Sequence, residues 1–412
     1  ILAALILVES TYLIKVIEIE RCATINRALK QQVEQVLASY DRELFENYGI
    51  YAFAQTELNE SIFNNALSAN GIDYNGSLYV GDVEVLEVTA LKASIANFYS
   101  RRGGAIAVDY FANAINQALE QLDATGMIEG LRSYTSSPIS GQISNILLGS
   151  VNSGASIIET ISSLGIDSAD ERVSNLTTLI SSLGSLNTSQ TTEYMNLDVS
   201  DASGFISVID NIDSLYSISS DVLSSTAFHA VGYHYASYNF DCFLPQTDDD
   251  GNALDCCIQG NCFNQIHDEN TYDTEYILTG FEGIPALVTC GGFVFAIIQI
   301  SNIIEILLDS TKMEVITGIA EVLEAAVIAL TGGTVPIPSE LYVFVIVYFS
   351  ALINSVPDMI DVYSAEKIAL LDFLPVPSTV SEAITFGYRD ILSMYMFLIP
   401  DNTILERMLI VL

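Results

Sequence analysis

The sequence predicts a mainly α-helical protein with a small β element, in which a long N-terminal helix carries a large globular head. Three observations lead there. No Gly or Pro interrupts residues 1–48. Further along, apolar residues recur mostly at steps of three and four, the spacing of one helix face. Only one short segment, with Val83, Val85 and Val88 in VEVLEVT, has the β-branched composition of a strand.

Residues 1–48 are the element around which the rest is organised. Ile1 to Ile17 is apolar except for Glu9, Ser10, Thr11 and Lys15. Beyond Glu20, the positions Ile25, Leu29, Val33, Val36, Tyr40 and Leu44 mark one helical face, and good helix formers such as Ala28, Lys30, Gln32 and Glu34 fill the gaps. One continuous helix of roughly 70 Å follows at about 1.5 Å per residue. Its first half is apolar all round and its second half is amphipathic. Such a rod reads as a stalk, with one end suited to lipid or a protein bundle and the other to carrying a head. An ordinary secretory signal is removed together with its apolar segment, whereas this segment stands at the start of the sequence. Either a short leader cut off in front of it or residues upstream of Ile1 would account for that.

After Gly49 the chain turns away. Asn75-Gly76 and Gly81 bracket the strand, and a helical pattern resumes from Lys92 to about Leu122, with Arg101-Arg102-Gly103-Gly104 as a break. Residues 49–133 thus form the first part of the head. Residues 134–227 are dominated by Ser, Thr, Gly and Asn, with Leu and Ile at helical intervals (SNLTTLISSLGSLN, ISVIDNIDSLYSI). That recurrence favours thin amphipathic helices over a flexible linker.

Residues 228–283 combine aromatic and cysteine-rich acidic stretches. Cys242, Cys256, Cys257 and Cys262 fall within 21 residues, and the stretch from Asp241 to Glu282 holds ten acidic residues and no Lys or Arg. Adjacent cysteines are poor geometry for two ligands of one tetrahedral zinc ion. A disulfide-stapled loop outside the cell is the better reading, with the pairing among the four left open. His229 and His234, five apart, lack the spacing of a helical metal pair and read as packing residues. Asp248, Asp250, Asn252 and Asp255 around Gly251 resemble the start of a calcium loop, but the closing Glu of an EF-hand is missing. A carboxylate-rich turn is the favoured reading there and a bound Ca²⁺ the lesser one; no other cofactor is expected.

Residues 284–412 are the most apolar. Ala286 to Ile304 and Leu341 to Pro357 run uncharged for 19 and 17 residues, which makes both transmembrane candidates by hydropathy. Gly291-Gly292 and Gln299 in the first run, Asn354 and Pro357 closing the second, and the lack of flanking Lys or Arg argue for a buried helical core or a surface buried between subunits.

Charge bounds the function. Across 412 residues, 14 Lys and Arg face 51 Asp and Glu, a net charge of −37. Five of the basic residues (Lys15, Arg21, Arg27, Lys30 and Arg42) lie in the first 42 positions. So acidic a surface repels phosphate backbones and excludes nucleic acid as a partner. With only 16% charged and 50% hydrophobic residues the chain is not a disordered acidic one. The balance suits an exported surface working in salt, with divalent cations or at low pH, and composition does not choose among these. There is no GxSxG, HExxH, GxGxxG or phosphate-loop motif, so no enzyme is expected. The glycosylation sequons at Asn59, Asn75, Asn175 and Asn187 are no more than a chain this rich in Ser, Thr and Asn holds by chance.

Arg27 to Phe53, RALKQQVEQVLASYDRELFENYGIYAF, resembles the stem of the TadE/TadG-like proteins of tight-adherence (Tad/Flp) pilus systems, which are related to type IV pili, and in particular their large-headed members. Four further patches are similar in order: Val83 to Ala90 with Asn97 to Arg102; the aromatic stretch Tyr233 to Phe240; Glu275 to Gly280; and Tyr388 to Leu392 with Glu406 to Leu409. The Ser-rich and cysteine-rich insertions have no match in it. The resemblance implies a pilin-like subunit that is inserted in the membrane by its first helix and then drawn by a pilus secretion machinery into an extracellular helical homopolymer. Ile1, Leu5, Glu9, Leu13, Lys15 and Ile17 would then carry assembly. A carboxylate in an apolar helix is costly unless paired. Glu9 of one subunit would meet Lys15 or the free amino terminus of another, or else sit at the membrane interface. Contact between unlike surfaces gives an open helix instead of a closed ring. The alternative is a monomeric, membrane-anchored cell-surface binding or adhesion protein that uses the same helix as its anchor.

Overall fold

In the computed structural model the N-terminal run is helical, as its composition dictates, but it stops before Gly49. The structure describes residues 2–52, 60–73, 78, 86–100, 126, 129–130, 132, 156–186, 210, 232, 235–236, 239–244, 257–258, 261–262, 272–331, 339–370, 385–396 and 398–412. The protein is mainly α, and the only strands among these residues form one two-stranded hairpin. The chain divides into two units, Ile1–Ser94 and Ile95–Leu412.

In the first unit, α1 spans Leu2–Ala38, 37 residues and about 55 Å at the usual helical rise. The single 48-residue helix expected from the sequence is interrupted at residues 39–41, and α2 follows at Arg42–Tyr48. Asp41 causes the break. Its carboxylate accepts the Leu44 N–H at 3.1 Å, an N-cap that starts a new helix. The Asp41 N–H turns instead to the Ala52 carbonyl at 2.8 Å. Tyr40, Phe45 and Tyr51 close the corner, with ring centroids 5.2–6.2 Å apart, and the Tyr51 hydroxyl donates to the Leu37 carbonyl. Gly49, at φ +64°, supplies the left-handed turn that ends α2.

The second half of α1 packs on α3 (Ser61–Ala69) through a face that keeps Ile25 but is otherwise not the one its apolar residues mark. Thr24, Ala28 and Gln32 are buried, whereas Leu29, Val33 and Leu37 are exposed. The small Ala28 lets Phe63 and Leu67 come close, and the Gln32 side-chain oxygen accepts the Phe63 N–H at 3.0 Å. A polar side chain is thereby committed to the contact and the larger aliphatic ones are left outside. α4 (Val88–Ser100) carries the chain into the second unit. Val88 opens this helix instead of ending a strand, while Val83 and Val85 lie outside the described residues.

In the second unit, the described part of the Ser-rich region contains two amphipathic helices, α5 (Ser156–Ser163) and α6 (Glu171–Gly184). Ile157, Ile161, Val173, Leu176, Leu179, Ile180 and Leu183 are their buried positions. Asp170 caps α6, and Arg172 bridges to Glu321 at 2.9 Å. The hairpin pairs β1 (Cys257–Ile258) antiparallel with β2 (Asn261–Cys262).

Then come α7 (Asp273–Thr279), α8 (Ile284–Leu308), α9 (Ser310–Thr331), α10 (Ser339–Tyr363), α11 (Tyr388–Met396) and α12 (Asp401–Val411). α8 is the hub, packed against α7, α9, α10 and α11. Two helices have the length and apolarity to span a membrane, Ile284–Leu308 and Glu340–Tyr363, and 78% and 56% of their most apolar windows are buried inside the fold. Gln299, fully buried on α8, donates to the Tyr348 carbonyl of α10 at 3.0 Å, so the polar residue in the first apolar run joins the two helices. α10 does not end at Asn354 or Pro357 but runs through to Tyr363. Pro357 removes one backbone hydrogen bond, while Val356, Met359 and Val362 around it are buried and hold the last turns in place.

Candidate assembly surface and a buried carboxyl centre

The residues expected to carry assembly lie on α1. Leu5, Leu13 and Ile17 are 55%, 58% and 53% exposed, and Ile1 lies outside the described residues. Leu2, Ile6, Leu7, Val8, Ile14, Val16 and Ile19 are exposed with them, around the whole circumference of the helix. The polar residues in this run differ in how they are satisfied. Ser10 and Thr11 turn their hydroxyls back to the Ile6 and Leu7 carbonyls, both at 2.7 Å, which removes two donors from the surface. Lys15 pairs with Glu18 at 2.6 Å, one turn along. Glu9 has no partner among the described residues. From Leu2 to Ile14 the helix therefore offers an aliphatic surface with a single unpaired charge. Farther along, Leu29, Val33 and Leu37 continue the exposed apolar strip at four-residue steps.

A second constellation, absent from the sequence reading as a site, forms around α7. Glu275 is fully buried. Its Oε1 accepts three hydrogen bonds, from the Cys242 thiol at 3.2 Å, the Phe243 N–H at 3.1 Å and the Tyr388 hydroxyl at 3.0 Å. Its Oε2 is buried without a partner. Phe243 is the centre of an aromatic enclosure, with Tyr272, Tyr363 and Tyr388 rings at 6.0, 6.1 and 6.4 Å. Burial pushes the Glu275 carboxyl above the ordinary carboxylate range, against the pull of its three donors. Burial, the largest cause, raises the Cys242 thiol and the Tyr388 hydroxyl far above their usual values, so both are protonated donors. Neighbouring Asp273 is pushed up to about 6 by partial burial and by Asp241 and Glu275. It lines an open cleft of about 350 Å³ with Tyr272, Tyr276, Glu282 and Ile410.

Two arginines hold this centre together without pairing with Glu275. Arg407 of α12 donates to the Ile277 and Leu278 carbonyls at 3.0 and 2.5 Å and so caps the end of α7. Gly280 is needed beside it, since it adopts φ +75° and a Cβ there would lie 2.9 Å from the guanidinium. Arg389 of α11 donates to the Leu244 carbonyl at 2.9 Å. Glu275-Gly280, Tyr388-Leu392 and Glu406-Leu409, separate patches in the sequence, thus meet at one place.

The remaining predicted positions are scattered. Cys242 is a buried free thiol, donating to Glu275. Cys257 and Cys262 are opposite one another in the hairpin register, and Cys256 lies outside the described residues, as do Asp248, Asp250, Asn252, Asp255, His229 and His234. Among the described residues no cluster of His, Cys, Asp and Glu could hold a metal ion. Asn175 is half-buried within α6, and Asn59, Asn75 and Asn187 lie outside the described residues. No family model, curated protein or solved structure matches the chain.

Proposed function

We propose that this protein is the structural subunit of an extracellular pilus-like filament, inserted in the membrane by α1 before assembly and then bundled with copies of itself through that helix. The observation that carries the reading is the run from Leu2 to Ile19, in which aliphatic side chains stay exposed all round the helix. Burying an aliphatic side chain fully is worth about 1.5–3 kcal/mol. Ten such residues, already part-covered by their own helix, would contribute on the order of 10 kcal/mol, enough to offset much of the cost of association. Ser10 and Thr11, bonded back to their own helix, suit both lipid and a helix bundle. The unpaired Glu9 then sets the axial register by meeting a cation of a neighbouring copy. The resemblance of Arg27–Phe53 to the TadE/TadG-like stem supports the same reading, and the acidic second unit is the solvent-facing head.

Electron microscopy of material shed from cells producing the chain tests this. Uniform fibres containing the chain are expected, and detergent-bound monomers alone would overturn the reading in favour of a membrane-anchored surface protein. Glu9→Ala should be made and inserted normally yet assemble poorly; an unchanged fibre yield removes Glu9 from the mechanism.

A further inference from the structure

Glu275 is a carboxyl group buried away from solvent. Among the described residues no Lys or Arg forms an ion pair with it. The groups that face it from each packed element are Asp241 and Cys242 before α7, Asp273 on α7, Cys290 on α8, Tyr363 on α10, and Tyr388 beside Arg389 on α11. Most are acids. The two nearby guanidiniums, Arg389 and Arg407, direct donors to backbone carbonyls. An ionised carboxylate moved into an apolar enclosure without a counter-charge is so costly that it takes up a proton instead. The hydrogen bonds agree with the neutral acid. Thiol, amide and phenol all donate to Oε1, which serves as the carbonyl oxygen, and Oε2 is left for the proton. Of the three donors, the thiol is weak and the phenol is neutral, too little to hold a bare carboxylate in place of water.

We propose that Glu275 is a structural proton-binding site: the second unit takes up a proton there on folding, and the resulting neutral acid latches the 240–244 segment and α11 onto α7. Drawing that proton off leaves a buried charge facing Asp241 and Asp273 and loosens the latch. The latch is independent of whether α1 assembles, so it stands or falls separately from the filament.

The sign follows from linkage. A carboxyl whose folded-state value lies above its unfolded one stabilises the fold fully below the unfolded value, and the contribution is lost as pH rises through the folded value. Asp273, raised to about 6, acts in the same direction.

The test is unfolding of the full chain in detergent from about pH 4 to about pH 9, at low salt and at about 1 M salt, where exposed charges are screened beyond roughly 3 Å. The wild-type midpoint should fall as pH rises, with salt recovering only part of the loss, and Glu275→Gln, an uncharged isostere, should flatten the remainder. A midpoint that is level or rises with pH, a slope abolished entirely by salt, or a Glu275→Gln slope equal to wild type would each overturn the proposal. Should Glu275→Gln fail to fold, the wild-type chain gives a second reading. Alkylation of Cys242, followed on its own peptide and divided at each pH by the rate in the urea-unfolded chain, should increase tenfold or more between about pH 5 and about pH 8. A constant ratio overturns the latch.

Discussion

Leu13→Ala separates the fold from the assembly. Leu13 is 58% exposed on α1, so the chain's own fold uses little of it, and truncation should shift unfolding by no more than about 0.5 kcal/mol. In a bundle of copies the same side chain is buried. Leu→Ala at a buried site costs about 2–5 kcal/mol, and the lower end applies where neighbouring helices can close on the gap. About 2 kcal/mol corresponds to a roughly 30-fold higher subunit concentration for elongation. The assay is the critical concentration for fibre growth by sedimentation, with thermal unfolding of the same preparation in parallel. Leu67→Ala is the opposite control. Leu67 is 1% exposed against Phe63 and Ala28, so its truncation should lower unfolding stability by about 2–5 kcal/mol. Fibre growth by Leu13→Ala at the wild-type concentration, or a destabilised monomer, would refute the idea that this face is kept for another copy.

Three further outcomes are expected. Gln32→Leu leaves the buried Phe63 N–H without its acceptor and should destabilise the first unit by about 1–3 kcal/mol in urea unfolding. Arg407→Met uncaps α7 by removing both carbonyl contacts, costing about 1–3 kcal/mol, and Arg407→Lys should restore part of it as a point charge. The Asp170 carboxyl is held down to about 2 by hydrogen bonds from Arg172. Its contribution is therefore present above the unfolded value and lost as pH falls through about 2, opposite in sign to Glu275. Asp170→Asn should flatten the acid limb of the unfolding profile measured by circular dichroism and leave the neutral range unchanged.

The main elements were legible where one physical signal dominates. A run without Gly or Pro gives α1, and uncharged runs too polar or β-branched in places to be simple spans give α8 and α10. The Leu and Ile at helical steps among serines give α6. Local chemistry that competes with such a signal was misread. Asp41 ends α1 by capping the next helix, although helix formers surround it. Leu29 and Val33 mark the more apolar face of α1, yet α3 docks on Ala28 and Gln32, because a small residue and a side-chain acceptor fit an incoming helix terminus better than a row of leucines does. Pro357 looked like an end, but the buried residues on either side of it hold α10 together. Glu275 gave no sign of itself among 51 acidic residues. The one available hint is its place one turn before Leu278 on the apolar side of a short helix, and only the meeting of Tyr388, Cys242 and Phe243 over it makes a site.

The charges are divided along the chain in a way that ties the two proposals together. α1 carries Lys15, Arg21, Arg27 and Lys30 against Glu9, Glu18, Glu20 and Glu34 and is neutral, whereas residues 95–412 hold eight basic and 38 acidic residues. Neutral rods converge without net repulsion. In the proposed filament the acidic parts of neighbouring copies would repel at neutral pH over roughly a Debye length, and protonation would relieve that repulsion as pH falls towards the sequence pI of about 4.1. In the proposed filament acid would act twice, by keeping the proton on Glu275 in each copy and by discharging the surfaces that have to crowd together. Salt can supply only the second effect. If repulsion between the acidic surfaces is what limits assembly, high salt at neutral pH should permit fibres while recovering only part of the second unit's unfolding midpoint, whereas acid should restore both.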